Sequence, residues 1–382
     1  MNFQRKEYPF PWRNNNRIAL LIDAAKFYPA ILEAISKAKN EILIEMYLVE
    51  SGHVLNRFFS ALELAVEKGI CVRLILDDFG SRGLSARDKS RLETSNIEIH
   101  YYNPFHYGRL RRSLFRDHRK IFIVDGTIAF VGGAGLTDAF ENQANPALSW
   151  RDTMVSVSGP CVADWKTLFY DNWPQADKLE STTEKTQPVD DSEQYAGRVS
   201  VTPRHGKLEL KRSLIKRIRG AERQIWIATA YFLPSQKIRR ALARAARSGV
   251  DVRLLLPGKH TDHPAVRHAG RRFYHYLLKN KIRIFEYQPR FTHSKVMLAD
   301  NWVSIGSSNI DRWNLRWNLE ANQEVDSSDF AQKIITMFEN DLEHSTEITL
   351  SMWKRRSRYR RLLEWFWGKI DVFIDALSRR KS

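Results

Sequence analysis

The pattern HxKxxxxD occurs twice in this sequence, and each copy is followed by a glycine turn. The first runs from His118 through Lys120 to Asp125, with Gly132-Gly133-Ala134-Gly135 behind it. The second runs from His293 through Lys295 to Asp300, with Gly306-Ser307-Ser308-Asn309 behind it. Between Lys and Asp the residues are mainly apolar, Ile121-Phe122-Ile123-Val124 and Val296-Met297-Leu298-Ala299. A short apolar run bounded by turn residues predicts a buried strand. Strand alternation puts His and Lys, two apart, on one face. A chain that sets an imidazole beside an ammonium twice is expected to bring the two copies together.

Such a pair suits displacement at a phosphodiester. One neutral imidazole attacks phosphorus, and the other, protonated, gives its proton to the leaving alkoxide. Lys120, Lys295 and the Asn309 amide would neutralise the equatorial oxygens as charge builds. With an ordinary pKa of about 6.5, histidine serves as base, nucleophile or acid near neutrality. The lysines supply the positive charge, so the pattern calls for no metal and no cofactor. Asp125 and Asp300 complete the two motifs at strand ends, and structural roles are expected of them. The first copy has Gly135 where the second has Asn309. One phosphate contact is expected to be lost there, or made by water or by Thr137.

The chain around the motifs repeats as well. Lys68-Gly69-Ile70-Cys71-Val72-Arg73-Leu74 is answered by Ser248-Gly249-Val250-Asp251-Val252-Arg253-Leu254. Hydrophobic periodicity predicts strands at 17–21, 41–49, 72–76 and 97–102, with helices at 24–39, 54–68 and 86–93. The second half replays this with helices at 208–219, 236–248 and 265–279 and strands at 224–230, 252–256 and 282–287. The expected fold class is α/β, a tandem duplication of one unit. Each unit would be a mainly parallel or mixed sheet flanked by helices, with one composite site at their interface. The first unit spans 1–175 and the second 198–345. Between them 176–197 is polar enough to read as a linker.

The paired motifs resemble the phospholipase D superfamily, and further blocks resemble its bacterial cardiolipin synthase branch. These are Trp150-Arg151-Asp152-Thr153 to Ser158-Gly159-Pro160, Asp262-His263-Pro264 through Arg271 and Tyr274 to Leu277-Leu278, Ile284-Phe285-Glu286-Tyr287-Gln288-Pro289, and Asn318-Leu319-Glu320-Ala321-Asn322. The likeness spans residues 15 to 345 and is to the short form without membrane-spanning segments at its start. It implies that Asp152 and Glu320, each at a similar interval after its histidine, accept a hydrogen bond from a catalytic imidazole. That fixes a tautomer and steadies the protonated ring. It also implies phosphate or headgroup contacts for Ser307, Ser308, Asp262 and Arg271. The expected activity is phosphatidyl transfer to phosphatidylglycerol through a phosphatidyl-histidine, with phosphatidylethanolamine a further substrate. His118 is expected as nucleophile and His293 as acid and then base, an order the near-symmetry of the pair leaves open.

Composition points to the same partner. Over 382 residues the net charge is +17, which implies an anionic surface, membrane or nucleic acid. Two cysteines suggest no disulfide framework. No signal peptide is read at the start, and no run of about 20 apolar residues predicts a membrane span. A basic stretch from His106 to Arg116 precedes the first motif. The tail, 346–382, carries Lys354, Arg355, Arg356, Arg358, Arg360 and Arg361 ahead of an amphipathic face with Trp365 and Trp367. Such a segment is expected to lie in an anionic bilayer surface, here the cytoplasmic side of a bacterial inner membrane. The aromatic basic tail argues against nucleic acid as substrate. A phosphodiesterase acting on lipid or nucleic acid, and a membrane scaffold with a weakened site, remain the competing readings.

Overall fold

The computed structural model describes residues 10–105, 115–174, 194–202, 209–312 and 317–357, together with 362, 364, 366 and 367. The first unit contributes β1 (Arg13–Ile22), β2 (Glu41–Met46), β3 (Cys71–Asp77), β4 (Glu98–Tyr102), β5 (Lys120–Val124), β6 (Ile128–Gly132) and β7 (Thr153–Ser158). The second contributes β8 (Gln194–Val201), β9 (Gln224–Ala228), β10 (Phe232–Leu233), β11 (Asp251–Pro257), β12 (Arg283–Tyr287), β13 (Val296–Ala299), β14 (Trp302–Gly306), β15 (Ile310–Asp311), β16 (Ala321–Asp326) and β17 (Ser345–Glu347).

Strand order shows the duplication directly. One sheet runs β4-β3-β2-β5-β6-β7-β1-β8-β16-β14-β13-β9-β11-β12-β17, so it reads alike outward from the β1–β8 pair. β2, β3 and β4 are parallel, as are β9, β11 and β12, while the strands between the two flanks pair antiparallel. β1 is longer than the periodicity suggests because it bridges the units. Asn16 ties that seam: its side chain accepts from Cys161 N at 2.8 Å and donates to Tyr195 O at 3.3 Å.

Two helices that the periodicity did not single out, Cys161–Tyr170 and Ser328–Glu343, cover one face of the central strands. They bury Trp165, Phe169, Phe330 and Phe338 in one core shared by both units. Trp165 Nε1 donates to Gln323 Oε1 at 2.9 Å across the seam. Burial on this scale fixes the two units as one body. The helix expected at 265–279 is two, Pro264–Arg271 and Tyr274–Lys279. Phe273 N bonds to Gly270 O at 3.1 Å, a three-residue step that tightens the turn and redirects the chain.

The ends of the expected segments shift. β8 begins at Gln194, inside the stretch read as linker, and 175–193 lie outside the described residues. The start of the tail belongs to the second unit. β17 pairs antiparallel with β12, and helix Leu350–Arg355 buries Trp353 against Tyr274. Most of the basic stretch at 106–116 and of the amphipathic tail face lies outside the described residues. Leu362 and Phe366 are exposed.

Candidate active site

His118 and His293 stand at the starts of the strands that the apolar runs build, β5 and β13. Backbone bridges between the units bring those starts together. His118 N donates to Leu319 O at 2.9 Å, and Leu319 N to Arg116 O at 2.9 Å. On the other side His293 N donates to Arg151 O at 2.7 Å, and Arg151 N to Phe291 O at 2.8 Å. Each bridge places a carboxylate from one unit beside the histidine of the other. His118 Nδ1 lies 3.0 Å from Glu320 Oε1, and His293 Nδ1 lies 2.7 Å from Asp152 Oδ2. The pairs are crossed. With Nδ1 of each ring donating to its carboxylate, Nε2 is left for substrate.

The two lysines follow their strands inward. Lys120 Nζ donates to His118 O at 2.6 Å and lies over the Tyr47 ring, 4.9 Å from its centre. Lys295 Nζ donates to His293 O and stands 2.8 Å from His293 Nδ1. All four side chains are buried. Burial pushes Lys120 down to about 7, helped by Lys295 and opposed by Glu320 and Asp152. Burial likewise lowers Lys295 to about 8 against the pull of Asp152, Glu320 and Asp262. His118 is held well below the ordinary histidine range by burial and then by both lysines. His293 is lowered to about 4 by burial and Lys295, against Asp152. Burial raises Glu320 to about 8, though Lys120 and a Ser307 hydrogen bond work the other way. Such a site is short of negative charge and suited to an anionic phosphodiester.

Other expected residues divide. Asn309 is fully buried: its Oδ1 accepts from Thr229 Oγ1 at 3.2 Å and Tyr231 N at 3.3 Å, leaving Nδ2 without a partner. Ser307 serves the catalytic pair instead of a phosphate, donating its hydroxyl to Glu320 Oε2. Ser308 is held through its backbone, N to Asn322 Oδ1 at 3.2 Å. Asp262 accepts from Tyr231, whose ring lies 6.5 Å from that of His293. Arg271 does not reach the site as an open headgroup contact. Its guanidinium is held by Glu286 and, at 3.1 Å, by Glu364.

Asp125 and Asp300 are placed apart from the chemistry, each beyond the far end of its strand. At about 3.3 Å per residue, a five-residue strand sets Asp125 roughly 17 Å from the site. Asp125 sits at φ 51° in the β5–β6 turn and accepts from Lys39, Asn40 and Glu41 N at 2.8, 2.7 and 3.0 Å. Asp300, at φ 53°, holds Glu222, Arg223 and Gln224 N at 2.9, 2.9 and 3.0 Å. Each carboxylate fastens the loop before the neighbouring strand. Gly135 is dictated by packing, since a Cβ there would lie 2.5 Å from Leu48 O. Thr137 does not replace the missing amide, because its hydroxyl donates to Glu50 Oε2 at 2.5 Å.

Sequence reasoning missed the aromatic lining. Tyr47 stacks on His118 at 4.6 Å, while Trp150, Phe140 and Phe291 surround His293 at 5.3, 5.6 and 5.7 Å. Trp150 and Phe291 flank the bridged residues Arg151 and Thr292, a signal available in the sequence beside the motif.

Comparison with known proteins agrees with this geometry. The family model described as "Cardiolipin synthase, PLD-like domain" matches residues 31–156 and again 214–342. The chain belongs to the phospholipase D superfamily. It is a phosphatidyltransferase of that superfamily. Cardiolipin synthase B of Salmonella typhi is 33% identical over 333 residues, covering 85% of this chain and 79% of the relative. A cardiolipin synthase of Alkalihalophilus pseudofirmus is 30% identical over 359 residues, covering 90% and 70%. A crystal structure of phosphatidylserine synthase from Haemophilus influenzae Rd KW20 shares the fold, with a TM-score of 0.73 over 97% of both chains at 13% identity. Among the described residues no helix is long and apolar enough to cross a membrane.

Proposed function

We propose that this phosphatidyltransferase is a cardiolipin synthase, passing a phosphatidyl group to phosphatidylglycerol at the surface of an anionic, cytoplasm-facing membrane. The observation that carries this reading is the crossed pairing of His118 with Glu320 and His293 with Asp152 around two buried lysines. His118, which both lysines hold in its neutral form, attacks the phosphorus of the donor lipid. His293, beside Asp152, protonates the departing headgroup oxygen. Lys120, Lys295 and the unpartnered Asn309 amide draw off charge from the equatorial oxygens. The phosphatidyl group then rests on His118 Nε2. His293 takes the proton of the acceptor hydroxyl as its oxygen displaces the ring, and cardiolipin leaves. Phosphatidylglycerol serves as donor with release of glycerol, and phosphatidylethanolamine as donor with release of ethanolamine.

The test uses purified protein with phosphatidylglycerol vesicles and chelator, following lipid products and free glycerol. Cardiolipin matched by glycerol, and lost in His118→Ala and His293→Ala, is expected. Phosphatidic acid as the main product would make the protein a hydrolase instead. Cleavage of DNA without lipid turnover would replace the reading with that of a nuclease.

A further inference from the structure

The two halves of the site share a frame but differ in the residues that trail two of the strands. Val296 pairs with Ala228 as Ile121 pairs with Glu45, so Tyr231 takes the place that Leu48 takes in the first unit. Ala228 pairs with Leu255 as Glu45 pairs with Ile75, and the same count onward sets Asp262 where the first unit has Arg82. Arg82 lies over the rings of Phe79 and Phe105, at 5.0 and 5.2 Å. The second unit instead carries a carboxylate and a phenol. The Tyr231 hydroxyl donates to Asp262 Oδ2. Oδ1 of the same carboxylate is buried and has no partner. The charge of Asp262 is felt at both His293 and Lys295.

A buried carboxylate oxygen left without a donor is costly, and such an oxygen at a site points to a ligand that supplies one. In-line displacement fixes where that ligand lies. With phosphorus bonded to His118, the entering oxygen approaches from the opposite side, next to His293. That is the side on which Asp262 stands. We propose that Asp262, oriented by Tyr231, is the subsite for the polyol headgroup of the acceptor, accepting a hydrogen bond from a glycerol hydroxyl beside the one that reacts. This rests on the phosphatidyltransferase reading above. The reacting oxygen forms its bond to phosphorus as the bond to His118 Nε2 breaks. The electron pair returns to the ring and the hydroxyl proton passes to His293. Asp262 takes no part in these bonds; it chooses glycerol over water.

The experiment separates the two half-reactions with vesicles containing phosphatidyl-p-nitrophenol, whose leaving group has no polyol. Nitrophenolate release reports attack by His118. The second step is read as partition between phosphatidic acid and the alcohol product, with glycerol or phosphatidylglycerol added in separate arms. Asp262→Asn should lower the preference for alcohol over water about tenfold, the loss of one hydrogen bond to a charged group. Tyr231→Phe should lower it less, since the carboxylate stays. A response in the glycerol arm alone assigns the subsite to the free alcohol, and a response in both arms to the headgroup chemistry they share. An unchanged partition in Asp262→Asn overturns the proposal, and so does loss of nitrophenolate release in that variant, which would put Asp262 in the chemical step. Preference of the wild type for ethanolamine over glycerol would overturn it too, as a site for ammonium. If the wild type releases no nitrophenolate, the proposed function fails rather than the subsite.

Discussion

Asp152 and His293 belong to different repeats, yet Asp152 Oδ2 stands 2.7 Å from His293 Nδ1. The reciprocal contact joins Glu320 to His118 at 3.0 Å. Neither repeat therefore holds a histidine with its own acceptor, and the site exists only where the repeats interlock. The two pairs differ in charge. Burial raises Glu320 to about 8, so it is largely neutral at pH 7. Asp152→Asn, which removes an anion from His293, is expected to lower kcat by about 100-fold or more. Glu320→Gln replaces an acid that is already mostly neutral, and a loss of about tenfold or less is expected. Steady-state cardiolipin formation by both variants at pH 7 checks the ranking, and equal losses would count against it.

Lysine charge sets the pH profile. Lys120 is lowered to about 7 and Lys295 to about 8, so rising pH strips cations from the empty site. Because the ammonium form is the one that stabilises phosphate charge, kcat/KM should fall as pH rises from about 7 to 8. A bound phosphodiester anion favours the ammonium form, so the limb in kcat should lie at higher pH. Initial rates at low and saturating phosphatidylglycerol separate the two limbs. Limbs that coincide would assign the loss to another group.

Much of this was legible in the chain. The apolar runs after Lys120 and Lys295 gave β5 and β13, and their doubling gave the repeated fold. The crossing of carboxylates was not. Asp152 and Glu320 sit at similar intervals after the histidines of their own repeats, and only the backbone bridges Asp117–Leu319 and Arg151–Thr292 reassign them. Arg271 shows the same limit, because Glu286 and Glu364, which hold it, are distant in sequence. Gly135 announced a missing amide, but its cause, the close approach of Leu48 O, is a contact between segments that sequence spacing does not encode.

Lys120 illustrates the cost of the site to the fold. Its ammonium is buried, with burial the leading cause of its lowered pKa. An apolar side chain of similar length avoids that desolvation, while Glu320 beside it is mostly protonated near pH 7. Lys120→Met should therefore melt at the same or a higher temperature than the wild type, while kcat falls by about 100-fold or more. Thermal melting alongside the transfer assay tests both halves. A variant that melts lower would make Lys120 a structural cation.

Asp125 carries the opposite expectation although it closes the same motif. Its carboxylate is the acceptor for three backbone N–H groups before β2 and takes no part in the site. Asp125→Ala leaves those donors to water and places alanine at φ 51°, a left-handed conformation that Asp and Asn tolerate better. A loss of about 2 kcal/mol is expected from charged hydrogen bonds at a largely solvated turn. Asp125→Asn keeps an acceptor oxygen and the backbone preference, and should lose less. In both variants KM and kcat of the folded protein should match the wild type, because β5 keeps its pairing with β2 and β6. Denaturant unfolding gives the first comparison and lipid kinetics the second. A fall in kcat at unchanged stability would return Asp125 to the chemistry.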